Sequence, residues 1–233
     1  MQSFSSGFTA LVIGSTGGIG AELVSVLRGT PDCAEVIGLS RRTSPALELT
    51  DETSIHAAME AVKERYGQVD LIIDATGALD IEGHGPEKTI RAIDPVVMAR
   101  QFAVNAIGPA LLFKHFSTLS PRDRKSVFAT LSARVGSIGD NRLGGWISYR
   151  ASKAALNQIV RTSAIEIART RPHSVVVAMH PGTVDTALGA GRNGNHQLFS
   201  PAEAAEKIVS VIDRLTPAET GGFFAYDGAA IEW

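Results

Sequence analysis

Short, almost uninterrupted apolar runs alternate along this chain with longer segments of helical spacing. Strands that are apolar at every position are buried on both faces, as in parallel sheets covered by helices. The predicted strands are Thr9–Ile13, Glu35–Leu39, Ala46–Leu49, Val69–Asp74, Ser126–Ser132, Ser174–His180 and Gly222–Tyr226. The predicted helices are Gly18–Leu27, Thr53–Tyr66, Ala99–Leu119, Ser148–Arg169 and Pro201–Leu215. This order predicts an α/β fold with a doubly wound parallel sheet of about seven strands, whose ligands bind beyond the carboxyl ends of the strands.

Composition narrows the class of protein. The 233 residues carry a net charge of −2, which gives no reason to expect a nucleic-acid partner. The single cysteine, Cys33, excludes an intrachain disulfide and agrees with a reducing cytoplasm. No basic n-region opens the chain, and no apolar run looks long enough for a membrane span. Without repeats or linkers, residues 1–233 are predicted to form one domain in the cytoplasm.

A glycine-rich turn follows the first predicted strand and opens the first helix. It reads Gly14-Ser15-Thr16-Gly17-Gly18-Ile19-Gly20. Glycine is needed where the backbone turns sharply or where a pyrophosphate must approach the main chain. The free N–H groups of the following helix then face that phosphate. Any tight strand–helix turn can use glycines, but this position is the one that dinucleotide binding requires.

The second predicted strand ends in Ser40-Arg41-Arg42, without the Asp or Glu that would bind the ribose hydroxyls of NAD. Two guanidinium groups can hold a 2′-phosphate through forked, charge-assisted hydrogen bonds. Arg41 lies nearer the strand end and is the better candidate. The alternative is a pair of solvated surface arginines. The sequence therefore favours NADP(H) over NAD(H) as the cofactor.

Tyr149 and Lys153 lie four residues apart and therefore share one face of a helix. A nearby ammonium favours the phenolate, so we expect Lys153 to lower the pKa of Tyr149 from its ordinary value near 10. Tyr149 would then protonate a carbonyl oxygen as hydride reaches the carbon. Ser132, at a strand end, could hydrogen-bond the same oxygen. The alternative is an ordinary amphipathic helix with an exposed lysine.

Together these residues resemble the short-chain dehydrogenase/reductase family along nearly the whole chain. The resemblance implies a single Rossmann-type domain that transfers hydride between NADP(H) and a small carbonyl or alcohol. It implies that Asn105 helps to hold a water in a proton relay and that Lys153 binds the nicotinamide ribose. Further cofactor contacts are implied for Glu48 and Leu49 beside adenine, for Ala75, Thr76 and Gly77 after the fourth strand, and for Pro181, Gly182, Thr183, Val184 and Thr186 around the nicotinamide and phosphates.

Within the family, the segment from Ala133 to Ile138 and the last strand are similar to the C-factor and sniffer-like carbonyl reductase branch. Two departures stand out. Asp74 occupies a position where the family usually has an asparagine. Ala133 falls where the catalytic serine is expected, and strand alternation would turn Ser132 to the opposite side. Ser132 therefore needs a bulged or shifted strand end, and Ser137 is the alternative.

The leading interpretation is an enzyme, and the rival is an NADP(H)-binding regulatory or signalling protein with little turnover. His84 and His180 lack partners at ligand spacing, so no metal site is expected. The glycine-rich segment Gly189–Asn195 is interpreted as a mobile loop, and the loop around Ala187–Leu198 could close over substrate. The two long helices could form a homodimer or homotetramer contact.

Overall fold

The computed structural model describes residues 1–186 and 198–233, so the expected loop at Gly189–Asn195 lies outside the described residues. Six strands form a parallel sheet in the order β2-β1-β3-β4-β5-β8. Two further two-residue strands, β6 and β7, pair with each other. The strands are β1 Phe8–Ile13, β2 Cys33–Leu39, β3 Leu71–Asp74, β4 Ser126–Leu131, β5 Ser174–His180, β6 Thr183–Val184, β7 Leu198–Phe199 and β8 Phe223–Ala225. The helices are α1 Gly18–Arg28, α2 Glu52–Tyr66, α3 Pro95–Phe102, α4 Gly108–Phe116, α5 Ile147–Ala168 and α6 Pro201–Arg214.

The doubly wound parallel sheet is confirmed, but its strand count is six rather than seven. Ala46–Leu49 is not a strand. Its apolar side chains are nonetheless buried, with Leu47 at 3% and Leu49 at 7% exposure. The backbone N–H of Leu47 donates to the carbonyl of Ser40, so this part of the chain folds back on β2 as a loop. An apolar run can thus report burial without sheet pairing.

Each sheet face packs against its own helical layer. Along β1, Leu11 and Ile13 belong to the cluster that includes residues of α2, α4 and α5, while Ala10 and Val12 belong to the cluster that includes residues of α1 and α6. Successive side chains of a strand point to opposite faces, so one apolar run serves both layers. This double burial fixes the sheet and leaves its carboxyl edge open for a site.

The long central helix starts earlier than predicted. Asp94 caps it by accepting hydrogen bonds from the backbone N–H groups of Val96 and Val97, and Pro95 occupies the first turn. A π-helical turn, Ala103–Ile107, separates α3 from α4 and contains the buried Asn105. Such π turns often accompany functional sites, because they change the direction of a side chain within a helix.

This helical segment also corrects the expectation that no apolar run reaches membrane length. By length and composition Pro95–Leu119 could cross a bilayer, with a mean hydropathy of 1.4 in its most apolar window. Leu112, Phe113 and Phe116 pack into the protein's own core. The core helix of a soluble protein passes the same test, so the segment is weak evidence for a membrane span.

Candidate active site

A cleft of about 380 Å³ opens at the carboxyl edge of the sheet. It brings together residues that follow β1, β2 and β3, as expected for the edge where ligands bind in such folds. Nine of the predicted cofactor residues line it: Gly14, Thr16, Arg41, Arg42, Glu48, Leu49, Ala75, Thr76 and Gly77. The remaining lining residues are Gly17, Ser40, Leu47, Ala78 and Val104. These five residues were not predicted from the sequence, because none of them belongs to a residue type that is distinctive of cofactor binding.

The glycine turn needs its glycines for steric reasons. Gly14 has φ +85°, a left-handed conformation that L side chains rarely adopt. A Cβ on Gly20 would lie 2.1 Å from the carbonyl oxygen of Gly14, closer than atoms can approach. The Ser15 hydroxyl donates to the carbonyl of Leu39 and ties the turn to β2. The turn therefore exposes main chain, as a bound phosphate requires.

The segment after β5 reaches this turn from the other side. A Cβ on Gly18 would lie 2.9 Å from Cγ2 of Thr186, so these two residues are neighbours. Val184 pairs with Phe199 in the β6–β7 ladder and packs with Ile19. Pro181 and Gly182 precede this ladder. Thr186 and Val184 thus lie beside the helix that follows the glycine turn. The contacts of Pro181, Gly182, Thr183, Val184 and Thr186 with nicotinamide and phosphates stay predictions.

Arg41 and Arg42 are exposed at the rim of the cleft. Within residues 1–186 and 198–233, neither guanidinium forms an ion pair with a carboxylate. Glu48 is occupied locally, because its Oε1 accepts from the N–H and hydroxyl of Thr50. Two cations thus face this end of the cleft, an arrangement that suits an anionic ligand group.

Tyr149 and Lys153 are both buried in the first turns of α5, at 7% and 3% exposure. The Lys153 Nζ lies 6.0 Å from the centroid of the Tyr149 ring. Burial raises the pKa of Tyr149 to about 12, and burial lowers the pKa of Lys153 to about 8. The expected lowering of the Tyr149 pKa is therefore wrong for this arrangement, because loss of solvent outweighs the ammonium at this distance. Tyr149 is consequently a phenol at neutral pH.

Asn105 and Gly77 lie around the same ammonium. The Asn105 amide accepts from the N–H of Ala78 at 2.8 Å and donates to its carbonyl at 2.8 Å. A Cβ on Gly77 would lie 3.3 Å from both Asn105 Oδ1 and Lys153 Nζ. Asn105 also donates to the hydroxyl of Ser152 at 3.3 Å. The π turn, the end of β3 and α5 therefore meet at the predicted site.

Ser132 lies just past β4, and its hydroxyl donates to Oδ1 of Asn157 at 2.6 Å. Both side chains are buried, and the Asn157 Nδ2 has no hydrogen-bond partner among the described residues. Ser137 is also buried, and its hydroxyl accepts the N–H of Asp140. The Ser132 proton is thus engaged in the interior, and the substrate-orienting serine stays a prediction.

Glu87 is a functional candidate that sequence reasoning missed. The N-cap residue of α5 is Trp146, which has φ +55° and whose side chain forms no capping hydrogen bond. The Glu87 carboxylate instead accepts from the N–H and hydroxyl of Ser148, and its backbone carbonyl accepts from the N–H of Trp146 at 2.6 Å. A carboxylate suits the positive end of a helix. It holds the turn that carries Tyr149, across a separation of 61 residues that local patterns do not reveal.

Comparisons with known proteins found a matching family model, related sequences and similar solved structures. A family model described as Enoyl-(Acyl carrier protein) reductase matches residues 20–230. The chain is similar to the 1-hydroxy-2-glutathionyl-2-methyl-3-butene dehydrogenase of Rhodococcus sp. (strain AD45), at 29% identity over 97% of this chain and 99% of the relative. It is 33% identical to the C-signal protein of Myxococcus xanthus over 72% of this chain and 94% of the relative. The NADPH-bound carbonyl reductase from chicken fatty liver superposes with a TM-score of 0.87 at 25% identity, over 99% of this chain and 96% of that one.

Proposed function

Because this chain belongs to the short-chain dehydrogenase/reductase family, we propose that it is an oxidoreductase that transfers hydride between NADP(H) and a small carbonyl or alcohol. One observation carries the proposal. The Nζ of the buried Lys153 lies against Gly77, which lines the cleft together with the glycine turn, and the Tyr149 ring centroid is 6.0 Å from that Nζ. A proton donor thus stands next to a site that suits a dinucleotide.

The residues present fit the cofactor. The tight turn needs glycine at positions 14 and 20, and its residues Gly14, Thr16 and Gly17 line the cleft where a pyrophosphate would bind. Arg41 and Arg42 would bind a 2′-phosphate at the rim. The NADPH-bound relative from chicken liver supports this cofactor class. When bound, the cofactor supplies hydride, and Lys153 would donate to its ribose hydroxyls.

Tyr149 would supply the proton. Burial raises its pKa to about 12, so the hydroxyl is protonated at neutral pH but is a weaker acid than an ordinary phenol, and proton transfer to a carbonyl oxygen requires that the resulting phenolate be stabilised. Proton transfer would leave a phenolate, which the buried Lys153 ammonium would stabilise. Asn105 would hold the loop around Ala78 in place through two hydrogen bonds.

The test is NADPH oxidation with a panel of aldehydes, ketones and quinones. Tyr149→Phe should lower kcat at least about a hundredfold, the usual scale of a positioned proton donor. Tyr66→Phe, at the far end of α2, is the matched control and should leave kcat unchanged. If Tyr149→Phe oxidises NADPH at the wild-type rate, Tyr149 is not the proton donor.

The serine is tested in the same assay. We propose Ser132 as the group that orients the substrate oxygen, after its hydroxyl turns away from Asn157, with Ser137 as the alternative. Ser132→Ala and Ser137→Ala should therefore differ, and the variant with the larger loss of kcat at unchanged NADPH affinity identifies the residue.

A second candidate function is NADP(H)-dependent regulation with little turnover. The 33% identity to the C-signal protein favours it, as does the engagement of the Ser132 proton by Asn157. Tight NADPH binding without oxidation of NADPH by any carbonyl of the panel would support this reading over catalysis.

A further inference from the structure

Asp74 ends β3 as a carboxyl group that is only 1% exposed. Its Oδ2 accepts the Thr130 hydroxyl at 2.6 Å, and its Oδ1 accepts both the N–H and the hydroxyl of Thr76, at 2.9 and 2.5 Å. These hydrogen bonds favour the ionised form of the carboxyl group, whereas burial, the larger effect, raises its pKa. A buried ionised carboxylate is costly unless a cation lies nearby.

Lys153 supplies that cation. Asp74 is the register partner of Thr130 on β4, and Lys153 Nζ donates at 2.9 Å to the carbonyl of Leu131, the next residue. Gly77 lies three residues beyond Asp74, and its Cβ position is 3.3 Å from the same Nζ. The ammonium therefore sits between the ends of β3 and β4, where the carboxylate lies. Each charge shifts the pKa of the other group. Burial raises the pKa of Asp74 and Lys153 lowers it, whereas burial lowers the pKa of Lys153 and Asp74 raises it. In both cases burial has the larger effect.

We propose that Asp74 is a positioning residue whose carboxylate keeps the buried Lys153 charged, so that Lys153 can stabilise the Tyr149 phenolate. This inference rests on the proposed function, in which Lys153 acts as a cation. Burial by itself lowers the pKa of Lys153 towards neutral pH. Without a counter-charge the amine would be neutral over part of the physiological pH range, and the phenolate would lose its partner.

The other groups around Lys153 do not replace this carboxylate. Tyr149, one turn earlier on α5, is neutral at physiological pH. Asn105, from the π turn, is uncharged. The turn Arg134–Gly136 packs on Lys153 through Gly136, and Arg134 is half exposed and paired with Asp140 at 3.2 Å. Within the described ranges, Asp74 is therefore the carboxylate whose charge acts on Lys153.

The direct test titrates the Lys153 ammonium by NMR of isotope-labelled lysine, in protein without nucleotide or substrate. Lys153→Met identifies the signal. In Asp74→Asn the titration midpoint should fall from about 8 by about one pH unit or more, the usual effect of a removed opposite charge. Thr130→Val removes one hydrogen bond but keeps the charge, and should move the midpoint much less. An equal midpoint in wild type and Asp74→Asn overturns the inference.

A reciprocal measurement covers the case in which Asp74→Asn does not fold. Coupled groups shift each other, so the Asp74 carboxyl in Lys153→Met should titrate at higher pH than in wild type. An unchanged Asp74 midpoint contradicts the coupling. In activity assays, the alkaline fall of kcat/KM should begin at lower pH in Asp74→Asn, because Lys153 loses its proton earlier. If the wild type turns over substrate and the Lys153 midpoint is the same in wild type and Asp74→Asn, this inference alone is refuted. If the Lys153 midpoint shifts in Asp74→Asn but the wild type shows no turnover, only the proposed function is refuted.

Discussion

Replacement of Lys153 by methionine should change the pH dependence of stability as well as the chemistry. Methionine nearly matches the length of lysine and carries no charge. In the folded protein burial lowers the pKa of Lys153 from 10.5 to about 8, so the unfolded chain binds more protons in this range. The contribution of Lys153 to the stability of the wild type must therefore rise with pH. The destabilising effect of the buried ammonium is complete below pH 8 and is relieved as the pH approaches 10.5.

The two pKa values set the magnitude. A difference of 2.5 pKa units corresponds to about 3 kcal/mol at pH 7, at about 1.4 kcal/mol for each unit. By about pH 9.5, where most folded molecules already hold a neutral amine, less than half of that effect remains. The advantage of Lys153→Met over wild type should therefore shrink by about 2 kcal/mol between these two pH values. Loss of the bond to the Leu131 carbonyl, about 1 kcal/mol, offsets both values equally.

Equilibrium urea unfolding, followed by circular dichroism at both pH values, measures this difference. Lys114→Met is the matched control, because Lys114 is exposed on α4 and pairs with Glu52 at the surface. It should show no comparable pH dependence. Repetition in an Asp74→Asn background removes the carboxyl that titrates with Lys153. A constant difference between Lys153→Met and wild type across this pH range would refute the reasoning, since it would mean that the folded and unfolded chains bind the same number of protons at Lys153 and that burial does not lower its pKa.

Three further predictions concern the cleft and its support. Gly20→Ala should abolish NADPH binding or folding, because its Cβ would meet a backbone carbonyl oxygen at 2.1 Å. The control Gly29→Ala, at the end of α1, should still bind NADPH, as measured by fluorescence titration. Arg41→Ala should weaken NADPH binding at least about tenfold and leave NADH binding unchanged, and equal losses for both nucleotides would contradict a 2′-phosphate contact. Glu87→Ala should lower the free energy of unfolding by about 1–2 kcal/mol through loss of the α5 cap, and Lys88→Ala, an exposed neighbour, should not.

Local sequence patterns were sufficient to predict much of the fold. Uninterrupted apolar runs identify strands that are buried on both faces, and the glycines after β1 identify a tight turn into α1, because both depend on neighbouring residues only. Tyr149 and Lys153 share a helix face by spacing alone. The same logic failed at Ala46–Leu49, where Leu47 and Leu49 are buried from a loop, since an apolar pattern does not distinguish pairing from packing.

Tertiary structure decided the electrostatics of the site. The sequence places an ammonium beside a phenol, yet burial raises the pKa of Tyr149, because desolvation depends on every element that covers the ring. Tertiary structure also brings the charge of Asp74 to act on Lys153, 79 positions away, and places Glu87 as the cap of α5 at Ser148, 61 positions away. Sequence patterns record periodicity along the chain, whereas these charges interact through space at the meeting point of three separate elements.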